Sequence, residues 1–163
     1  MLILNCGGTF NKRYNPIAGV LEVPFDNDTI EKILSSCNSE YALAGVIYKD
    51  SLEMDANDRQ MLAQIIIESD ENSFLLVHGT DTMDQTAAFL DEVLEKKVVV
   101  LTGAMQPFEI DPVEASFNLG MAYSFANTVT EYGIYICMNG HVRTWNKIEK
   151  NKKLGKFELV KEN

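Results

Sequence analysis

Short apolar runs alternate along the chain with segments in which apolar residues recur at three- and four-residue spacing. The runs are bounded by glycine or polar residues, which is typical of buried strands in a sheet that is covered on both faces. These predicted strands cover residues 2–6, 44–48, 73–77, 97–101 and 133–138.

Helices are predicted in the segments between the strands. Asp28 is a candidate N-cap for a helix over residues 29–36, and Asp55 is a candidate N-cap for the next helix. One face of that second helix is expected to contain Met61, Leu62, Ile65 and Ile66. Further elements are predicted as helices over residues 82–94 and 115–126 and as a short strand over residues 157–160.

The alternation of strands and helices predicts the class of fold. At this spacing it indicates a mostly parallel sheet flanked by helices, an α/β three-layer sandwich. The chain has 163 residues, a length typical of one domain. It contains no internal repeat, low-complexity stretch or linker, so we expect a single domain over residues 1–163.

Charge excludes one class of partner. The chain carries 24 acidic and 14 basic residues, a net charge of −10. Such a surface repels a phosphate backbone, which predicts no nucleic-acid partner. The basic cluster of the chain consists of Lys147, Lys150, Lys152, Lys153 and Lys156.

The cysteines and the N-terminus bear on location. Cys6, Cys37 and Cys137 follow no spacing typical of a disulfide framework or a zinc site. Cys6 and Cys137 lie in apolar runs and are expected to be buried thiols. The N-terminal apolar run is too short for a signal peptide or a membrane span. These features predict a cytoplasmic protein that does not associate with membranes.

Three of the predicted strands end in turns of small residues that carry a hydroxyl group. The turns are Gly7-Gly8-Thr9, His78-Gly79-Thr80-Asp81-Thr82 and Thr102-Gly103-Ala104. Ligands of open α/β sheets bind at the carboxyl ends of strands, so we expect Thr9 and Thr80 to face one crevice. A threonine hydroxyl is a weak nucleophile and needs a base or a positive charge nearby, which Asp81 and one lysine would supply. Each turn taken alone is also explained by a helix N-cap, which leaves the type of reaction open.

Several other catalytic motifs are missing from the sequence. It has no GxGxxG or P-loop pattern for nucleotides and no GxSxG turn of a serine hydrolase. The histidines His78 and His141 are too far apart in sequence to indicate a metal site. His78 is expected to orient the turn that follows it or to satisfy a buried hydrogen bond.

The turn sequences resemble the signatures of the bacterial L-asparaginase and glutaminase family. Residues 5–10 resemble the first signature, a strand ending in GGT, and residues 78–83, HGTDTM, are identical to the second. Residues 102–107 resemble the GAMRP stretch of the family, and residues 117–119 resemble its FNL helix start. Because order and spacing also agree, the resemblance implies the fold of the N-terminal domain of the family, which is flavodoxin- or Rossmann-like.

The resemblance implies a role for each matching residue of the reactive centre. Thr9 corresponds to the nucleophile that attacks the amide carbonyl, and Tyr14 to the tyrosine of a mobile loop that supports this threonine. Thr80 corresponds to a second threonine that holds water or relays a proton. Asp81 corresponds to the carboxylate that binds the α-amino group of the substrate.

The site lysine and the remaining substrate contacts are also implied by the resemblance. Counting from Met138 places Lys150 on the family position of the lysine bonded to the second threonine, with Lys147 as the alternative. Ser51 resembles the serine that contacts the α-carboxylate of the substrate. The implied substrate-binding set is Gly8, Ser51, Gly79, Asp81 and Ala104.

Two features depart from the family pattern. Members of the family are much longer and have a second, C-terminal domain, so we expect this chain to correspond to the N-terminal domain only. Leu52 stands where the family usually has a polar residue that bonds the amino-acid head group. Leucine offers no hydrogen bond there, which predicts weaker selection for free L-asparagine.

The function implied by the resemblance is that of an amidohydrolase. It would convert L-asparagine, or a related small amide, to the acid and ammonia without a metal or an organic cofactor. The alternatives are a non-catalytic domain that binds or senses a small metabolite such as an amino acid, and a structural partner in a larger assembly. Surface that a second domain covers in the family would favour self-association, so we also expect a homo-oligomer, a dimer or larger.

Overall fold

Strands and helices alternate in the computed structural model, which describes residues 1–161. The strands are β1 (Leu2–Gly7), β2 (Arg13–Asn15), β3 (Val20–Glu22), β4 (Ala42–Lys49), β5 (Ser73–Val77), β6 (Val98–Thr102), β7 (Gly133–Met138), β8 (His141–Thr144), β9 (Ile148–Asn151) and β10 (Lys156–Leu159). The α-helices are α1 (Asp28–Ser36), α2 (Ala56–Glu68), α3 (Met83–Val93) and α4 (Pro112–Thr128). Short 3-10 helices cover Thr9–Asn11, Ser51–Glu53 and Trp145–Lys147.

A six-stranded sheet forms the middle layer, with the strand order β4-β1-β5-β6-β7-β8. All neighbouring strands in it are parallel except β7 and β8, which are antiparallel. The carboxyl ends of β1, β5 and β6 therefore lie side by side at one edge of the sheet. The prediction of a mostly parallel sheet is confirmed.

Helices cover both faces of this sheet. Helices α2 and α3 bury residues such as Leu62 and Leu90 in an apolar cluster on one face. Helices α1 and α4 contribute Ile30 and Leu119, among others, to a second cluster on the opposite face. The three-layer α/β sandwich predicted from the sequence is confirmed.

The helix starts agree with the sequence prediction in part. The Asp55 carboxylate accepts hydrogen bonds from two backbone N–H groups of α2 and forms a capping box with Asp58, as expected for an N-cap. The prediction for α1 was wrong by one residue, because Asn27 precedes the helix and Asp28 is its first residue. Helix α4 begins earlier than predicted, since Asp111 caps it and a proline occupies its first turn.

The predicted apolar face of α2 was wrong for Met61, which is exposed. The buried residues of the helix are Arg59, Leu62, Ala63 and Ile66. Their spacing of three and four residues defines a stripe that begins at Arg59, and Met61 points away from that stripe.

Two antiparallel hairpins lie outside the central sheet. Strands β2 and β3 form the first hairpin, which the sequence did not predict, and β9 and β10 form the second. Of these four strands only β10 was predicted, and its predicted bounds, residues 157–160, are shifted by one residue. The strands are short and mixed in polarity, so they lack the apolar periodicity that marks the buried strands.

The three cysteines, Cys6, Cys37 and Cys137, are free. Burial raises the pKa of the Cys6 thiol, and it raises the pKa of Cys137 to about 12, so both are unreactive buried thiols as predicted. No helix within residues 1–161 is both long and apolar enough to cross a membrane.

Candidate active site

The turns that follow β1 and β5 touch each other at glycine. Gly8 has a φ of 81°, and a Cβ atom built there would lie 2.4 Å from the backbone N and Cα atoms of Gly79. Only glycine allows both this backbone conformation and this approach. Because Thr9 and Thr80 each follow one of these glycines, the contact brings together the two turns that carry the predicted threonines.

Ser51 packs against the other side of Gly79. A Cβ atom at Gly79 would lie 2.6 Å from the Cβ atom of Ser51, whose side chain is 1% exposed. The Ser51 hydroxyl oxygen accepts a hydrogen bond of 3.2 Å from the backbone N–H of Asp81. In this structure Ser51, predicted to bind substrate, therefore supports the turn that carries Thr80 and Asp81.

Lys150 reaches the same turn from β9. Its Nζ atom donates hydrogen bonds of 2.8 Å to the Thr80 hydroxyl and 2.8 Å to the Asp81 carboxylate. The three residues line a cavity of about 180 Å³. Of the two lysines considered from the sequence, the structure places Lys150 at Thr80.

The β9–β10 hairpin positions Lys150 through two apolar anchors. Ile148 on β9 and Phe157 on β10 are buried in the apolar cluster under α2 and α3. The backbone N–H of Phe157 also donates a hydrogen bond of 2.8 Å to the side chain of Asn139, directly after β7. These contacts hold the hairpin against the central sheet, so the lysine reaches a turn that is distant in sequence.

Thr9 begins a 3-10 turn that is held by two asparagines. The Asn5 side-chain carbonyl oxygen accepts hydrogen bonds from the Gly7 N–H at 3.0 Å and from the Asn11 side chain at 2.9 Å. Asn11 also donates to the Gly7 carbonyl at 3.0 Å. The turn that carries Thr9 is thus fixed by side-chain hydrogen bonds as well as by the backbone.

Tyr14 lies on β2 with its side chain 58% exposed. Its backbone N–H donates a hydrogen bond of 2.7 Å to Glu109, and the neighbouring Arg13 is paired with Asp26 and Asp28. Within residues 1–161 the Tyr14 hydroxyl forms no hydrogen bond with Thr9. The structure therefore places the hairpin beside the site without the Tyr14–Thr9 contact that the resemblance implies.

The remaining predicted contacts differ in exposure. Ala104 is the last residue of the third turn and is buried. At the preceding Gly103, a Cβ atom would lie 2.4 Å from the His78 carbonyl oxygen. Leu52 follows Ser51 directly and is 71% exposed. An apolar side chain therefore stands open to solvent next to the crevice.

His78 has both ring nitrogens engaged in buried hydrogen bonds, as predicted. Nδ1 lies 2.7 Å from the carbonyl oxygen of Gly79, and Nε2 lies 2.9 Å from the Thr86 hydroxyl. The pKa of His78 is lowered to about 4, mainly by burial and also by the charge of Arg59, against the opposing effects of the Gly79 hydrogen bond and the charge of Asp84. His78 is therefore neutral at physiological pH.

The structure adds a second lysine, Lys12, that the sequence pattern did not assign to the site. Its Nζ atom lies 2.6 Å from the Asp50 carboxylate, one residue before Ser51. Burial raises the pKa of Asp50, but the hydrogen bond from Lys12, the Leu52 N–H and the charge of Lys150 together lower it below the ordinary value. In the sequence, only its position three residues after Thr9 indicated that Lys12 lies close to this turn.

Arg59 was also not identified from the sequence as a buried residue, although its spacing in α2 indicates burial. It is the first member of the buried stripe of α2, at the spacing of an apolar residue. For metal ligands, the described part of the chain contains no group of three or more histidine, cysteine, aspartate or glutamate residues that could hold an ion.

The chain is similar in sequence and in fold to known proteins. The family model for the N-terminal part of asparaginase, "Asparaginase, N-terminal", matches residues 1–158. The chain is 26% identical over 124 residues to the glutaminase-asparaginase of Acinetobacter glutaminasificans, an alignment that covers 71% of this chain and 38% of that protein. It is 38% identical over 74 residues to L-asparaginase 2 of Escherichia coli, an alignment that covers 44% of this chain and 21% of the relative.

A solved structure shows the same fold. The thermostable L-asparaginase from Thermococcus kodakarensis superposes with a TM-score of 0.84 at 22% identity, covering 99% of this chain and 51% of that one. The chain thus spans about half of this structure, and it matches 38% and 21% of the two sequence relatives.

Proposed function

The chain belongs to the asparaginase family, whose N-terminal model it matches over residues 1–158, and from that premise we propose that it is an amidohydrolase with a threonine nucleophile. Its proposed substrate is L-asparagine or a related small amide, which it converts to the acid and ammonia. The proposed catalytic residues are Thr9, Tyr14, Thr80, Asp81 and Lys150.

One observation carries the proposal. Lys150 bonds Thr80 and Asp81 at 2.8 Å each, although β9 lies about 70 residues further along the chain. An ammonium group bonded to Thr80 would supply positive charge on the turn that packs against the turn of Thr9, the proposed nucleophile, which needs such a charge for acyl transfer. A helix N-cap, the alternative explanation for Thr80, would not require a lysine.

In the proposed reaction the Thr9 hydroxyl oxygen attacks the amide carbonyl carbon. Thr80, held by Lys150, relays the hydroxyl proton to the amide nitrogen, and the carbon–nitrogen bond breaks to release ammonia. A water molecule then attacks the resulting ester, which returns a proton to Thr9 and releases the carboxylic acid. Backbone N–H groups near Thr80 hold the negative charge that develops on the carbonyl oxygen.

Substrate binding is assigned to the surface around the three turns. Gly8 and Gly79 contribute through their backbones, since they pack against each other and Gly79 packs against Ser51, and the buried Ala104 shapes the turn after β6. The Asp81 carboxylate would bind the α-ammonium group of an amino-acid amide. Ser51 contributes by holding the Asp81 backbone. Closure of the β2–β3 hairpin would bring Tyr14 to Thr9.

The test is ammonia release by the purified chain from L-asparagine, L-glutamine and a panel of other small amides near neutral pH. We expect turnover by the wild type, loss of turnover in Thr9→Ala, and unchanged turnover in Thr130→Ala, which removes an exposed threonine outside the site. Equal rates for Thr9→Ala and wild type would rule out Thr9 as the nucleophile.

The exposed Leu52 and buried Ser51 favour a second candidate, a non-catalytic domain that binds an amino acid. Both positions are expected to bind the head group in an asparaginase, and here one is apolar and the other is buried. A folded wild type that L-aspartate stabilises thermally, without turnover of any amide, would support this candidate, because a ligand that binds only the folded state raises its stability.

Location and assembly complete the proposal. The three free cysteines fit a reducing compartment, so we propose a cytoplasmic protein. A homo-oligomer is proposed because Ile110, Val113 and Phe117 expose apolar surface at the start of α4. A small-molecule amide or amino acid is the proposed ligand, and the net charge of −10 disfavours nucleic acid.

A further inference from the structure

Arg59 is a buried cation that does not line the crevice. It is 9% exposed and lies on the inner stripe of α2, together with Leu62, Ala63 and Ile66. Removing a guanidinium from water is costly unless its donors are satisfied. Its presence in an otherwise apolar stripe therefore needs compensating contacts.

Four hydrogen bonds supply this compensation. Nη1 donates to the carbonyl oxygens of Met54 at 3.3 Å and Asp55 at 3.1 Å. Nε donates to the Thr86 hydroxyl at 3.0 Å, and Nη2 donates to the Thr82 hydroxyl at 3.2 Å. In the described chain no carboxylate pairs with Arg59, so its partners are carbonyl and hydroxyl oxygens.

The guanidinium sets the direction of the hydrogen bonds beyond the two threonines. It has donors only, so each threonine oxygen accepts from it and has a single proton to pass on. Thr82 donates that proton to the Ser51 carbonyl at 2.8 Å, and Thr86 donates to His78 Nε2 at 2.9 Å. The Gly79 carbonyl oxygen can only accept, so the neutral His78 carries its proton on Nδ1 and donates it there at 2.7 Å, which leaves Nε2 as the acceptor for Thr86.

Both chains of hydrogen bonds end at the centre of the candidate site. One ends on Ser51 and the other on Gly79, the two residues whose close packing fixes the turn that carries Thr80 and Asp81. Ser51 in turn accepts from the Asp81 N–H. Arg59 thus connects the start of α2, the 3-10 turn at Ser51 and the start of α3.

We propose that Arg59 is a positioning residue of the site, which holds Ser51 through Thr82 and holds His78 and the Gly79 turn through Thr86. This inference rests on the proposed function, because the turn that it positions carries the proposed substrate-binding Asp81. The same turn carries Thr80, the proposed proton relay, so loss of Arg59 should affect the chemical step as well as substrate binding.

The experiment compares Arg59→Met, Arg59→Lys and the control Arg143→Met, which removes an exposed arginine whose bond in this structure is to the neighbouring Val142 carbonyl. We expect Arg59→Met to raise KM for L-asparagine about 10- to 100-fold, because Asp81 is displaced, and to lower kcat as well, because Thr80 moves with the same turn. Arg59→Lys keeps the charge, but its compact ammonium group cannot reproduce the planar fork, so partial rescue is expected. Arg143→Met should match the wild type.

Imidazole ¹⁵N NMR provides a readout that a purely structural role would not move. The chain has two histidines, so the His78 signals are readily assigned. We expect the Nδ1–H pattern in the wild type and in Arg143→Met, and a changed Nε2 chemical shift in Arg59→Met, because the Thr86 hydroxyl bonded to Nε2 loses the donor that orients it. If the wild type releases no ammonia, the proposed function fails, whereas Arg59 is still judged by the His78 pattern and by the Kd for L-aspartate.

Folding failure of Arg59→Met is covered by the lysine variant, which leaves the charge in place. The inference is overturned if a cooperatively folded Arg59→Met keeps the wild-type His78 pattern and a KM within about twofold of the wild type. If Arg59→Met does not fold, the same criterion applies to Arg59→Lys. If the wild type is inactive, the Kd for L-aspartate replaces KM.

Discussion

At the scale of single residues, the candidate site depends on which lysine meets Thr80. Lys147 and Lys150 both lie on a basic stretch, and the resemblance favoured Lys150 with Lys147 as the alternative. Lys150 makes two hydrogen bonds with the turn at Thr80 and Asp81. Its ammonium group is therefore expected to stabilise the charge that develops during acyl transfer.

Replacing Lys150 by methionine should lower kcat by about 100-fold or more, the typical cost of losing one preorganised donor at a reacting centre. Lys147→Met serves as the matched control and should retain wild-type kcat. Steady-state ammonia release measures both variants, with circular dichroism to check folding. Loss of activity in Lys147→Met alone would reassign the site lysine.

His78 predicts a dependence of stability on pH. Its pKa is about 4 in the folded chain and ordinary in the unfolded chain, so the unfolded chain binds more protons between these values. The free energy of unfolding should therefore fall as the pH drops from about 6.5 to about 4, by roughly 3 kcal/mol.

Urea denaturation at a series of pH values measures this effect. His78→Gln should remove most of the slope in that range, whereas His141→Gln should keep it. Asp50 and Asp58, whose pKa values are lowered by their lysine partners against the opposing effect of burial, lose their contribution at lower pH. A wild-type stability that stays flat between pH 6.5 and pH 4 would contradict the assignment of a neutral His78, since about 6.5 is the unperturbed pKa of histidine.

At the scale of elements, α2 links helix capping to the site. The Asp55 carboxylate caps the helix, and the Asp55 carbonyl oxygen accepts a hydrogen bond from Arg59. The same residue thus fixes the start of the helix and one contact of the cation that it carries.

Asp55→Ala should lower the free energy of unfolding by about 1 kcal/mol, because two backbone N–H groups lose their acceptor. Asp70→Ala removes an aspartate from the loop before β5 and should change stability little. Urea midpoints compare the two variants. Equal midpoints for Asp55→Ala and the wild type would show that the cap does not limit the stability of α2.

At the scale of the whole molecule, the order of the strands creates the crevice and α4 leaves apolar surface outside it. Ile110, Val113 and Phe117 are exposed along one side of the start of α4. Val113 and Phe117 lie one turn apart on the helix and share a face, and an exposed apolar face favours self-association.

Light scattering coupled to size-exclusion chromatography should give the mass of two or more chains. Phe117→Glu should shift that mass toward a single chain, because a buried charge in an interface is costly. The control is Asn127→Asp, which adds a negative charge to the same helix away from the apolar surface and should leave the mass unchanged. A single-chain mass for the wild type would reject the oligomer.

Sequence by itself determined the layers and much of the site. Continuous apolar runs can be buried on both faces, so the parallel strands followed from pattern, and the turns after β1, β5 and β6 followed from their glycines. His78 was expected to serve the turn, and its two buried hydrogen bonds confirm this. These features are local, since the residues involved are close in sequence or repeat with the period of their element.

Only the tertiary structure decided which residues meet across the chain. It showed how Lys150, the lysine that the resemblance favoured, reaches Thr80. It also buried Ser51 behind Gly79, left Tyr14 exposed on an unpredicted hairpin, and put Arg59 where an apolar residue was expected. Each outcome depends on packing between segments that are distant in sequence. Pattern reports only which side of an element faces inward, whereas the neighbour found there is set by strand order and by the docking of the β9–β10 hairpin.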